Sequence, residues 1–269
     1  MTPQARTHWG AWVLALAASL CGLVAAARAG EVQDRVQAQG ELRVCISPGR
    51  PRIALRNPRT EQLSGLDIDL AAALASDLHA RLRFVDSSLA TLEQDLHSNR
   101  CDVAMFGIAM LPQRMEQLQF AAPYLQSDIH AVTTRASRVV RQWSDIDRPG
   151  VLVGVQAGTY TEQVMRQRLH HANLVPIQPP QTRERELMAG RVDVFMTDYP
   201  SGRALADDTE WAALLTSPTP FHVLLHAHAS KPGDAEWRAT LNAFVARIQQ
   251  DGRLDAAARR HGLDSIVLR

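Results

Sequence analysis

Short apolar runs alternate with stretches of helical periodicity along most of this chain. Residues 42–46 read as a strand, residues 66–78 place apolar side chains at helical spacing, and residues 82–85 form a second strand. A helix over residues 89–98 and a strand over residues 102–106 complete this group. After Tyr124 the alternation restarts, with strands at 151–155, 174–177 and 192–196 and helices at 160–170 and 182–189 between them. Residues 221–228 are predicted extended. Residues 236–250 and 254–261 are predicted helical, with Gly252 and Gly262 as stops. Alternation of this kind predicts βαβ units, mainly parallel sheets and the α/β class, and its restart predicts two lobes.

The first 29 residues break the pattern. Arg6, with no acidic residue, precedes an apolar run over residues 9–27, and Ala27-Arg28-Ala29 then fits small-residue cleavage by a signal peptidase. Residues 1–29 are therefore expected to be a secretory signal that is removed. A membrane anchor is the competing reading, because the run nearly spans a bilayer; its many alanines and the cleavage site weigh against it. Leu20 stands before Cys21 where a lipoprotein site needs a small residue.

Charge narrows the partners. Without the signal the chain keeps 27 basic residues against 28 acidic ones, and Lys231 is the only lysine. A balance so close to neutral does not suit nucleic acid or an anionic membrane. Cys45 and Cys101 each flank a predicted strand and are read as small core residues, with a disulfide open to them in an oxidising compartment.

Two charges stand out. Arg114 closes residues 102–114 and Asp198 closes residues 190–198, each following an apolar strand. A guanidinium takes a carboxylate in a two-pronged fork, so this cation and this anion could grip the two ends of one zwitterion. The plainer alternatives are a surface arginine and a turn-capping aspartate. Between strand and helix lies Gly154-Val155-Gln156-Ala157-Gly158-Thr159-Tyr160, whose amides could meet an anion or whose Thr159 could simply cap the helix. Asp67 and Asp69 fall in the first turn of a predicted helix, which the helix dipole favours. His222, His226 and His228 share one extended segment and are read as solvated side chains of a crossing strand, since no carboxylate or cysteine sits near enough in sequence to complete a metal site. Neither a Gly-x-Ser-x-Gly element nor a Walker phosphate loop occurs.

Seven segments in order resemble the family 3 extracellular solute-binding proteins of amino-acid ABC transporters. They are Gly40-Glu41-Leu42-Arg43-Val44, residues 63–70, residues 101–104 with Pro112-Gln113-Arg114, residues 120–124, residues 153–159, residues 189–193 with Asp198, and Asp251-Gly252-Arg253-Leu254. The resemblance covers residues 40–263 and implies a two-lobed type II periplasmic-binding-protein fold, each lobe a mainly parallel sheet flanked by helices. Lobe one would comprise residues 30–127 and 222–269 and lobe two residues 128–221, joined by two crossover strands, with a cleft that closes like a hinge. It implies Arg114 on a ligand carboxylate with the amides of residues 106–110, Asp198 on its ammonium, and Gly158, Thr159 and Tyr160 at the lobe-two edge. It also implies a monomer in the periplasm, no cofactor or metal, and an ABC permease or a sensor protein as partner.

The chain departs from that pattern where a ligand would be chosen. Arg50 stands where many relatives carry an aromatic residue, Gly107 and Ala109 replace hydroxyl residues, and Tyr160 replaces a threonine. Residues 146–151 and Met196-Thr197-Asp198 also look like cyclohexadienyl dehydratases of the same fold. The glutamate of those enzymes falls on Ser201, which cannot serve as the general acid, so the expectation is a binding protein and not an enzyme.

Overall fold

A computed structural model describes residues 30–269; the expected secretory signal lies outside the described residues. The chain enters through α1 (Glu31–Gln39) and β1 (Glu41–Ile46) and makes a small three-stranded sheet from β2 (Gly49–Arg50), β3 (Ala54–Arg56) and β4 (Leu63–Ser64). It continues through α2 (Leu66–Asp77), β5 (Arg81–Asp86), α3 (Leu92–His97), β6 (Val103–Ala109), α4 (Pro112–Gln117), β7 (Gln119–Phe120) and β8 (Leu125–Ser127). A second group follows: β9 (Ile129–Thr134), β10 (Leu152–Gln156), α5 (Tyr160–Arg168), β11 (Asn173–Ile177), α6 (Arg183–Met188), β12 (Val194–Asp198), α7 (Tyr199–Asp208) and β13 (Ala212–Leu215). The chain then returns through β14 (Leu224–Ser230), α8 (Ala235–Gln250) and α9 (Arg253–Arg260).

Beside that small sheet stand two larger ones, and both are mixed. In the first, the order is β5-β1-β6-β14-β7, with β8 also on β14. β1 runs parallel to β5 and β6, while β14 is antiparallel to its neighbours. In the second, β11-β10-β12-β9-β13, the first three strands are parallel and β9 is antiparallel to both β12 and β13. β6 is apolar and buried along its whole length, as a strand with layers on both faces must be.

Each sheet has its own core. α8 contributes Trp237, Leu241 and Phe244 to the first, and the indole Nε1 of Trp237 donates to the Asp102 carbonyl at 2.9 Å. Asp234 caps α8 by accepting from the Trp237 amide at 2.8 Å, and it also accepts from the amides of Gly30 and Val32, fastening the start of the described chain to its end. Cys45 and Cys101 are buried in this core but joined in a disulfide, with Cα atoms 5.5 Å apart. The expectation of two separate core residues is thus corrected, because the fold brings together two side chains whose sequence spacing carries no sign of contact.

The two crossing segments are paired with each other. β8 and β14 run antiparallel, Leu224 opposite Ser127 and His226 opposite Leu125. Asp128, between β8 and β9, accepts from the amides of Ile129, Phe221 and His222 at 2.7, 2.7 and 2.6 Å. One carboxylate therefore ties both crossings at the same point.

Candidate functional site

The lobe-one wall is built on the end of β6. Gly107 adopts φ of +66°, a left-handed conformation that favours glycine. Its amide donates to Asp67 Oδ2 at 2.6 Å, and the hydroxyl of Tyr124 reaches both oxygens of Asp67 at 2.6 and 2.7 Å. Burial first, and Asp67 next, raise the Tyr124 phenol well above its ordinary range, so it remains a proton donor. Asp67 opens α2 as expected, yet it is fully buried and supports the backbone of the cleft wall. Asp69 points elsewhere, to His261 Nε2 at 2.9 Å.

Arg114 does not close a strand. β6 ends at Ala109, and Pro112 in the first turn starts α4, which carries Arg114. Its Nη1 donates to the Ala109 carbonyl at 3.2 Å, and among the described residues no acidic group forms an ion pair with it. Burial, followed by the nearby positive charge of Arg50, lowers its pKa from the ordinary value. A half-buried guanidinium held by one carbonyl keeps donors free for an anion.

Arg50 reaches from β2 toward the end of β12. Its Nη2 is 3.4 Å from Asp198 Oδ2 on the other lobe, and a side-chain carbon added at Gly107 would lie 3.7 Å from the same nitrogen. Asp198 ends β12 and caps α7, its Oδ1 accepting from the Ser201 amide at 2.9 Å. The capping reading is realised on Oδ1, while Oδ2 faces Arg50. Burial raises the Asp198 pKa, but Arg50 and the Ser201 amide outweigh it and hold the carboxyl below its usual range.

The lobe-two loop divides its expected roles. Thr159 caps α5, accepting from the Glu162 amide at 3.3 Å and donating to the Gln156 carbonyl at 2.7 Å. The Gly158 amide donates to Glu162 Oε2 at 2.7 Å, so this amide is satisfied within the chain. Tyr160 lies near Asp198; burial and then the Asp198 charge push its phenol up to about 12. Ala109 closes β6 beside the Arg114 contact, opposite His226.

The histidines correct the sequence expectation. His228 is fully buried, its ring centroid 4.4 Å from that of Tyr124, and His226 is largely enclosed rather than solvated. Burial and then Arg50 lower the His226 pKa to about 4, leaving a neutral imidazole whose Nδ1 is buried without a hydrogen-bond partner among the described residues. β14 lies inside its sheet between β6 and β7, and His228 packs against Tyr124 and against Phe244 of α8, an enclosure that counting histidines along the chain does not reveal. No group of three or more metal-ligating side chains occurs among the described residues.

A second bridge between the lobes was not anticipated. Arg52, with φ of +63°, donates from Nη2 to Asp207 Oδ2 at 2.8 Å and from Nη1 to the His261 carbonyl at 3.0 Å.

The model of the bacterial extracellular solute-binding proteins, family 3, matches residues 42–264. A cyclohexadienyl dehydratase from Pseudomonas aeruginosa is 32% identical over 168 residues, 61% of this chain and 62% of that enzyme. The L-cystine-binding protein TcyJ from Escherichia coli is 24% identical over 227 residues, 84% of each chain. An ancestral cationic amino acid solute binding protein superposes with a TM-score of 0.72 at 25% identity, over 85% of this chain and 98% of that one. Among the described residues no helix is long and apolar enough to cross a membrane.

Proposed function

The chain belongs to the bacterial extracellular solute-binding proteins of family 3 and has their two-lobed type II fold, and from that premise we propose that it captures a small carboxylate, an amino acid or a related acid, by lobe closure. The observation that carries this reading is Arg114: a half-buried guanidinium just past the end of β6, bonded to one backbone carbonyl and without an acidic partner among the described residues. The ligand carboxylate is the partner that the guanidinium would take in a fork; of the amides expected to assist it, those of Gly107 and Met110 are already bonded, to Asp67 and to the Leu225 carbonyl. Tyr160 and Asp198 meet the ligand from the second lobe.

On this reading residues 1–29 export the protein to the periplasm, residues 30–127 and 222–269 form lobe one, and residues 128–221 form lobe two. The protein works as a monomer, and a membrane importer of the ABC class takes the ligand from the closed form; a sensor protein would read the same state. It is a carrier and not a catalyst. Ser201 offers a hydroxyl at the start of α7, and its amide is committed to the Asp198 cap.

The test is calorimetry on mature protein that has been unfolded, stripped of ligand and refolded. Arg114→Ala weakens binding of the best carboxylate by about 2 kcal/mol or more, the scale for removing one side of a buried charged contact. Unchanged affinity in that variant overturns the assignment.

A further inference from the structure

We infer that Arg50 is the resident counter-ion of Asp198, so that the cleft takes a carboxylate bearing a neutral oxygen, carbonyl or hydroxyl, at its second carbon in place of an ammonium. The inference rests on the Arg114 carboxylate reading and concerns the other end of the ligand.

Asp198 is the acid that a ligand cation would need, and both of its oxygens are engaged. Oδ1 holds the Ser201 amide at 2.9 Å, and Oδ2 faces the Arg50 guanidinium at 3.4 Å. An incoming ammonium would share Oδ2 with a fixed positive charge and would be repelled by it at close range. Like charges set against each other in a site discriminate strongly between ligands.

The geometry around Arg50 supports a permanent placement. Gly107 presents bare backbone below it, and any side-chain carbon at 107 would lie 3.7 Å from Arg50 Nη2 and 3.3 Å from Ile53 Cγ2. Arg50 itself sits on β2, whose partner β3 starts at the buried Ala54. The guanidinium therefore reaches from a fixed hairpin across to the second lobe. Arg114, held on the Ala109 carbonyl two residues past Gly107, feels the Arg50 charge.

The remaining groups suit a neutral oxygen. Tyr160 keeps its phenolic proton beside Asp198, and His226 carries a buried Nδ1 that no group among the described residues satisfies. A hydroxyl donor and an imidazole nitrogen can hold a carbonyl or hydroxyl oxygen without adding charge.

Matched acids decide the question. Stripped, refolded protein is titrated in a calorimeter with sets that share a side chain and differ only at the second carbon: the amino acid, the 2-oxo acid and the 2-hydroxy acid, each set in acidic, aliphatic and aromatic forms. The wild type is expected to bind an oxo or hydroxy acid at least tenfold tighter than the matching amino acid. Arg50→Ala frees Asp198 and reverses or abolishes that preference, whereas Arg50→Lys retains it. A wild-type preference for the amino acid, lost in Arg114→Ala, overturns this inference while the carboxylate reading stands. Binding that is indifferent to Arg114 overturns the carboxylate reading itself, and no binding by any member overturns both.

Discussion

Arg52 on lobe one and Asp207 on lobe two are joined at 2.8 Å across the cleft, two residues along from the Arg50 and Asp198 pair at 3.4 Å. Asp198 and Asp207 stand at opposite ends of α7, so one short loop of the first lobe holds both ends of one helix of the second. On the proposed reading, this pair fastens closure outside the ligand contacts. Both partners of the outer pair are only partly buried, which limits its worth to about 1 kcal/mol. Arg52→Ala should speed ligand release up to roughly fivefold with little change in association rate. Stopped-flow fluorescence measures both, and an unchanged release rate would show that the pair does not latch the lobes.

The Asp67 and Tyr124 contact supports the cleft wall from behind. Tyr124→Phe removes a donor from a fully buried carboxylate and should cost on the order of 2 kcal/mol of stability. Because Asp67 also holds the Gly107 amide, ligand affinity should fall with it. Urea unfolding and calorimetry on the same variant report the two effects; full stability would mean that the contact is unimportant.

The bond between Cys45 and Cys101 closes a loop with a sequence separation of 56. The loop-closure scale puts its contribution at about 4 kcal/mol, less what the reduced chain recovers through residual structure. Double replacement by alanine should lower the urea midpoint clearly while leaving the ligand preference unchanged. An unaltered midpoint refutes a stabilising role.

His226 links stability to pH. It is held neutral in the fold with a pKa of about 4, against an ordinary value of 6.5, in the company of Arg50, Asp198 and Asp67. The unfolded chain therefore takes up a proton that the native state refuses, so stability falls as pH drops from about 6.5 to about 4. The loss attributable to this residue is on the order of 3 kcal/mol across that window. Urea midpoints at pH 7 and pH 4 should differ less in His226→Gln than in the wild type, and equal differences would exclude the histidine as their cause.

The alternation of strands and helices was legible because apolar runs such as Val103–Ala109 are buried on both faces and therefore have no polar interruptions. Two helices at the cleft were not. α4 is short and begins at Pro112, and α7 carries Pro200 and Gly202 near its start, residues that read locally as a turn. The Asp198 cap followed by an early proline was the available signal for α7. Arg52 and Asp207 had none: they are ordinary surface charges 155 positions apart, paired only because the lobes meet. The direction of Arg50 was hidden for a similar reason, since a two-residue strand has too few positions to define a face.

Asp128 has a mechanical consequence. With one carboxylate gripping amides from both crossings, neither strand can flex without dragging the other, and the swing has a single pivot rather than two independent straps. The lobes then behave as jaws on a common pin: a change at the pin is magnified at the tips, where Arg50, Asp198, Arg52 and Asp207 must line up. A residue inserted on one side of this knot would leave every ligand contact in place within its own lobe and still offset the bite.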